Sequence, residues 1–183
     1  MSLANGVAGA ILPQETIRRG GGLITIVMST VIGADRARVW RALTDPSQVT
    51  AWDASVVAPI DVPSDYPKPG QHVRWRARMN GLPIVLHDRP IEVIGAERLR
   101  SSIAMGLFRF DETYTLADDP SGPGRTRLTM KVITSNEIPV VGGALDRFSV
   151  RQQATELVSA SLQAIRTWCE RGGAEADASH TPS

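Results

Sequence analysis

The stretch from Asp146 to Arg171 restricts the fold more than any other part of the chain. On a wheel of about 3.6 residues per turn, Ala154, Leu157, Val158, Ser161, Leu162, Ala164, Ile165, Trp168 and Cys169 fall on one half. Gln152, Glu156, Ser159, Gln163, Arg166 and Glu170 fall on the other. An apolar face that wide needs a partner broader than the groove of a single helix. Asp146 lies where a carboxylate favours a helix N-terminus, and Arg166 and Arg171 lie near the C-terminal end. Gly172 can take the left-handed conformation that closes a helix. At ~1.5 Å per residue the helix spans ~39 Å, about the width of a small domain. The rest of the chain reads mostly as strands, so one long helix laid across a sheet is expected.

Composition sets the outer bounds. A chain of 183 residues, 42% hydrophobic and 21% charged, has the profile of one globular domain. Its net charge of +1 gives no general attraction to nucleic acid or anionic membrane. Cys169 is the only cysteine, which rules out an internal disulfide, and its place in the helix stripe predicts a buried structural thiol. No run approaches the ~20 apolar residues of a membrane span. The first residues lack a basic start and a sustained hydrophobic block, so no secretory leader is expected and a cytoplasmic location is the default.

Residues 1–21 are small and aperiodic and are expected to form a flexible tail, with the domain proper over 22–171 and a disordered tail over 172–183. Leu23 to Ile32 is β-branched and reads as a strand. A short helix follows over Asp35–Leu43, Asp45-Pro46 breaks it, and a second short helix reaches Trp52. Val56–Val62 is a strand, and Pro63 to Gly70 is a loop.

Two hairpins come next. Asn80-Gly81 between alternating runs is a strong two-residue turn signal, and it pairs Met79 with Leu82, Ala77 with Ile84, Trp75 with Leu86 and Val73 with Asp88. The apolar members then share the core face, while His72, Arg74, Arg76, Arg78, His87 and Arg89 face solvent. Pro90 is expected to kink its strand. A second hairpin around Met105-Gly106, taken with Ile103 opposite Phe108, turns Leu99, Ser101, Ile103, Phe108, Phe110, Glu112, Tyr114 and Leu116 inward. Arg100 then faces Asp111 on the outside. Thr126–Thr134 is a further strand with Leu128, Met130 and Val132 inward, and Pro139 to Gly143 connects it to the long helix. The order predicts an α+β fold: a curved antiparallel sheet of about six to seven strands wrapped around the C-terminal helix, with two short helices after the first strand. Space between sheet and helix is where a ligand would sit.

The run Ala34-Asp35-Arg36-Ala37-Arg38-Val39-Trp40-Arg41-Ala42-Leu43-Thr44-Asp45-Pro46, followed by Trp52, carries a family resemblance. So do Glu92-Val93-Ile94-Gly95-Ala96-Glu97-Arg98-Leu99, Glu112-Thr113-Tyr114-Thr115-Leu116 and the closing helix. Over roughly residues 24–170 the chain resembles the START/Bet v 1-like helix-grip superfamily, and within it the polyketide cyclase/dehydratase-like proteins. The resemblance implies a helix-grip fold with a cavity for an apolar or aromatic small molecule. It leaves function wide, since members act as binders, carriers, cyclases or partner-binding modules.

The chain has no Gly-rich phosphate loop, HExxH, paired CxxC or GxSxG, and no metal or cofactor is expected. His72 and His87 fall on the outer face and His180 in the tail, which suits no catalytic role. The outer arginine stripe lacks interleaved aromatics, so a solvated face is expected and nucleic acid is not. The inward polar residues say more. Glu112 lies between Phe110 and Tyr114, and Asp88 follows Leu86. A carboxylate there must be paired, hydrated or protonated. One reading is a raised-pKa acid or base, with Tyr114 as hydrogen-bond donor, suited to enolisation or dehydration; the other pairs Glu112 with an arginine or places it at the rim.

The candidate catalytic set is therefore Glu112, Tyr114 and Asp88. The candidate ligand contacts are Trp75, Leu86, Ser101, Ile103, Phe108, Phe110, Met130, Phe148, Leu157 and Ser161. Val140, Val141, Gly142 and Gly143 read either as a gate, with glycines that let the chain pivot, or as a plain connector. Binding of a lipid-like or polyketide-like molecule is the leading functional expectation. A cyclase or dehydratase, and a ligand-free interaction module, are the alternatives. No membrane insertion is expected, and a homodimer stays open.

Overall fold

The computed structural model describes residues 12–13, 23–79, 81–106, 108–135 and 147–178, with side chains over 23–79, 81–106, 108–134 and 151–171. One antiparallel sheet carries the order β1-β2-β8-β7-β6-β5-β4-β3. Its strands are β1 (Leu12–Pro13), β2 (Leu23–Ile32), β3 (Val56–Asp61), β4 (Val73–Met79), β5 (Leu82–Ile94), β6 (Arg98–Met105), β7 (Phe108–Asp118) and β8 (Thr126–Ser135). Two short helices, α1 (Arg36–Thr44) and α2 (Pro46–Trp52), follow β2, and α3 (Arg147–Ala178) closes the chain. This is the expected α+β helix-grip architecture. Among the described residues no helix is long and apolar enough to cross a membrane.

The short helices begin where their caps dictate. The Asp35 carboxylate accepts from the Arg38 amide at 2.7 Å, and Asp45 accepts from the Ser47 amide at 2.9 Å with Pro46 at the first helical position. The Asn80-Gly81 hairpin has the register read from the sequence, from Met79 opposite Leu82 to Val73 opposite Asp88. Gly81 adopts φ 81°, a left-handed angle that residues with a Cβ seldom take. His72, Arg74, Arg76, Arg78, His87 and Arg89 are exposed, and Arg74 reaches Asp61 at 3.2 Å. Pro90 is followed by a register shift before Glu92, a bulge at the place where a kink was expected, and β5 continues to Ile94.

Three expectations need correction. In the second hairpin Met105 faces Phe108, and Ile103 faces Phe110 rather than Phe108. Gly106, at φ 62°, lets the strands join through two residues instead of four. A shift of two residues keeps every side chain on its face. Arg100 stands opposite Thr113, yet its guanidinium still reaches Asp111 diagonally at 2.9 Å. The long helix also outruns Arg171: it continues through Gly172 and Gly173 to Ala178, so Gly172 does not terminate it. Leu12 and Pro13, assigned to the tail, pair with Ser29 and Met28 and make the eighth strand.

α3 does not lie over the middle of the sheet. It packs on β2 and β8 and against α1. There Val158, Leu162, Ile165 and Cys169 meet Ile24, Ile26 and Met28 of β2 and Leu128, Met130 and Val132 of β8 in the main core. A smaller cluster, Val56, Val73 and Trp75, lies at the other side of the sheet. Between the two clusters, among the described residues, the inner face of the sheet is not filled by packed side chains.

Candidate functional site

That unfilled region is a cavity of about 410 Å³. Strand alternation supplies its floor. Leu86 and Asp88 of β5, Leu99, Ser101, Ile103 and Met105 of β6, and Phe110, Glu112 and Tyr114 of β7 all point into it, at every second position. Trp75 of β4 and Tyr66 of the preceding loop close one side, and Trp52, Asp53 and Ser55 at the end of α2 close another. The roof is Leu157, Ala160, Ser161 and Ala164 of α3. The width of the helix's apolar face now has a reason. One row, Val158, Leu162, Ile165 and Cys169, is fully buried in the core, while the adjacent row covers the cavity, where Leu157 keeps 42% of its surface.

Of the residues named from sequence, Asp88, Glu112, Tyr114, Trp75, Leu86, Ser101, Ile103, Phe110, Leu157 and Ser161 line this space. Met130 and Phe108 do not. Met130 is fully buried on β8, the strand under α3, and Phe108 packs against the main core from the tip of β7. The Phe148 side chain and the segment Val140, Val141, Gly142 and Gly143 lie outside the described residues. Tyr66, Trp52 and Asp53 were missed because a Pro-rich loop and a helix end carry no periodicity. An aromatic set among the prolines of that loop, as Tyr66 is before Pro67, was the available sign.

The polar groups form two phenol–carboxyl pairs. The Tyr66 hydroxyl donates to Asp88 Oδ2 at 2.9 Å, and its ring meets Trp75 edge-on with centroids 6.2 Å apart. Burial raises the Asp88 carboxyl above the usual carboxylate range, and the neighbouring Ser101, Tyr66 and Trp75 only partly offset this. Asp88 Oδ1 and Ser101 Oγ are both buried and face each other closely enough for Ser101 to lower the carboxyl, yet among the described residues neither makes a well-formed hydrogen bond. Glu112 sits opposite Ser101 across the β6–β7 ladder. Burial pushes its carboxyl up to about 8; the Tyr114 hydroxyl draws it down, and the negative charges of Asp88 and Asp53 push it further up. Burial likewise raises both phenols, with Asp88 adding to Tyr66 and Glu112 to Tyr114.

Among the described residues no Arg, Lys or His lines the cavity. The arginine partner considered for Glu112 is therefore not among them. The carboxyls are also not grouped as a metal site: among the described residues no three His, Cys, Asp or Glu converge in that way. The arrangement is an apolar chamber with two hydrogen-bonding acids in its floor, one of which holds a proton at neutral pH.

Three solved structures illustrate the likeness of fold. A START superfamily protein from Mycobacterium smegmatis superposes with a TM-score of 0.64 at 14% identity, over 82% of this chain and 99% of the other. Ara h 8.0201 gives 0.60 at 12% identity, over 81% and 98%. CalU16 from Micromonospora echinospora gives 0.60 at 15% identity, over 92% and 90%. At these identities the likeness is one of fold alone. No curated protein matches the sequence. The family described as polyketide cyclase / dehydrase and lipid transport matches residues 24–170, and the chain belongs to it.

Proposed function

We propose that the protein binds a hydrophobic or aromatic small molecule between its sheet and α3. The observation that carries this reading is the chamber itself. It is lined mainly by apolar and aromatic side chains, and one whole row of α3 faces it where a packed core would otherwise be. Its volume of about 410 Å³ lies in the usual range for small-molecule sites. A body of a few rings or one short chain suits that space better than a two-chain lipid. An unfilled interior also argues against a ligand-free interaction module. Nile red, a neutral apolar dye, tests the reading: it should bind saturably with a rise in fluorescence. Ala164→Phe, which fills the chamber from the helix side, should abolish the rise while leaving the urea midpoint close to that of the parent. No binding of Nile red by the parent protein overturns the proposal.

Turnover is a second reading, favoured by one observation. Glu112, pushed up to about 8, stands beside the Tyr114 hydroxyl and has no cationic partner among the described residues. A protonated carboxyl of that kind can donate to a departing hydroxyl or a carbonyl oxygen, and its conjugate base can take a proton from an adjacent carbon. This is the acid–base pair that a dehydration or an aldol cyclisation needs. Mass spectrometry of small molecules retained on purification separates the readings. If Glu112 acts in chemistry, Glu112→Gln should retain the unreacted compound, heavier than that of the parent by one water for a dehydration, or an isomer of equal mass and different fragmentation for an aldol cyclisation. Identical retained compounds leave binding alone.

A further inference from the structure

Among the described residues, the chamber has acceptors and negative charge with no positive counterpart. Asp53, Asp88 and Glu112 line it, and among the described residues no basic side chain does. Asp88 is 7% exposed and Ser101 5%, yet among the described residues Asp88 Oδ1 and Ser101 Oγ make no well-formed hydrogen bond, although Ser101 lies near enough to Asp88 to lower its carboxyl. Tyr66 serves only the other Asp88 oxygen. Buried polar atoms are nearly always satisfied, and a carboxylate oxygen can be satisfied only by a donor. The ladder sets these groups together: Ser101 is opposite Glu112, and Asp88 is opposite Ile103, two residues further along β6. Tyr66, Trp75 and Tyr114 stand around them, and aromatic faces attract cations.

Deepening the binding function proposed above, and resting on it, we infer that the ligand is an organic cation: an amine whose ammonium donates to Asp88, Ser101 and Glu112 while its apolar body lies on Leu86, Ile103 and Phe110. A protonated amine carries several donors on one atom, enough for both orphaned oxygens and for Glu112. An anionic ligand would meet three carboxyls and, among the described residues, no counter-charge. A neutral alcohol can donate to Asp88 and accept from the Ser101 hydroxyl, but it brings no charge to balance the carboxyls.

Binding is coupled to a proton. The Glu112 carboxyl, held at about 8 by burial, is protonated at neutral pH in the empty chamber, and an adjacent ammonium favours its ionised form. The titratable groups that face it are Asp88 from β5, Asp53 from the end of α2, Tyr66 from its loop and Tyr114 from its own strand. β6 adds Ser101, and α3 adds Leu157, Ala160, Ser161 and Ala164, none of them ionisable near neutral pH. Amine affinity therefore rises as pH goes from about 6 to about 8.5, with release of a proton at the lower end.

Calorimetric titration with naphthylethylamine, naphthylethanol and naphthylacetate, which share a ring and differ in the charge of the end group, tests this on the unmodified protein. The amine should bind about tenfold tighter than the alcohol or better, and the acetate weakest. At pH near 7 the heat of amine binding should change with the ionisation enthalpy of the buffer. In Asp88→Asn and Glu112→Gln the ratio of amine to alcohol affinity should fall toward one, whatever happens to either affinity alone. An alcohol that binds as tightly as the amine, or an acetate that binds best, overturns the inference. If all three fail to bind, the cation reading is wrong; whether Nile red still binds then tells if the binding reading falls with it.

Discussion

Because burial lifts the Glu112 carboxyl from an ordinary 4.5 to about 8, the folded chain keeps a proton there that the unfolded chain releases between those values. More protons on the folded state mean that stability falls as pH rises. The contribution is intact below about 4.5 and is lost as pH passes through about 8. Asp88 shifts in the same direction from the same cause. Glu112→Gln removes that ionisation, so its stability relative to the parent should improve by ~1–3 kcal/mol between pH of about 5 and about 9, read from urea unfolding. A difference that stays flat with pH would mean that the carboxyl is not desolvated. A second buried group acts through a single bond: Thr126 donates to the Ala34 carbonyl at 2.7 Å and ties β8 to the start of α1. Thr126→Val should cost ~1–2 kcal/mol, about 4 °C in Tm. Strand alternation alone put Asp88, Ser101, Glu112 and Tyr114 on the inner face, since a period of two survives any even error in register. Alternation says which face a residue takes but not what covers it. Met130 was therefore assigned to the ligand when it belongs under the helix.

Among the elements, the Asn80-Gly81 hairpin was legible to the residue because its turn chemistry permits one loop length. Met105-Gly106 was less so, since a lone glycine fits loops of two residues or four. The extension of α3 beyond Arg171 was hidden by Gly172 and Gly173, which ordinarily end helices. Ties to the N-terminal elements hold the stretch just before them. Arg38 donates to the Cys169 carbonyl at 2.6 Å, the Gly33 amide to Glu170 at 3.1 Å, and Trp168 to Gln48 at 3.2 Å. The two rows of α3 should respond differently to truncation. Leu162 is fully buried, and Leu162→Ala should cost ~2–5 kcal/mol in urea unfolding. Leu157 keeps 42% of its surface, so Leu157→Ala should cost less than ~1 kcal/mol while changing Nile red affinity. Equal losses from the two would place both rows in the core.

At the scale of the molecule, the interior is two unequal clusters separated by a chamber, and α3 grips only the larger one. Sequence patterns indicated the sheet and the helix but not this offset, which depends on how far the sheet curls away beyond β8. Amide hydrogen exchange should therefore be slowest in β2, β8 and the middle of α3 and clearly faster in β3, β4 and β5, a gradient that mass spectrometry of peptic fragments can measure. Uniform protection would count against the division. Nile red should slow exchange in β4 and β5 and leave β2 and β8 almost unchanged. A molecule seated there would serve as a removable part of the protein's own interior, bridging Trp75 and its neighbours to the larger core. The empty protein would then offer proteases a loosened flank that the filled one withholds. The lifetime of the chain in a cell would follow the supply of its ligand, and its abundance would record how much of that ligand is present.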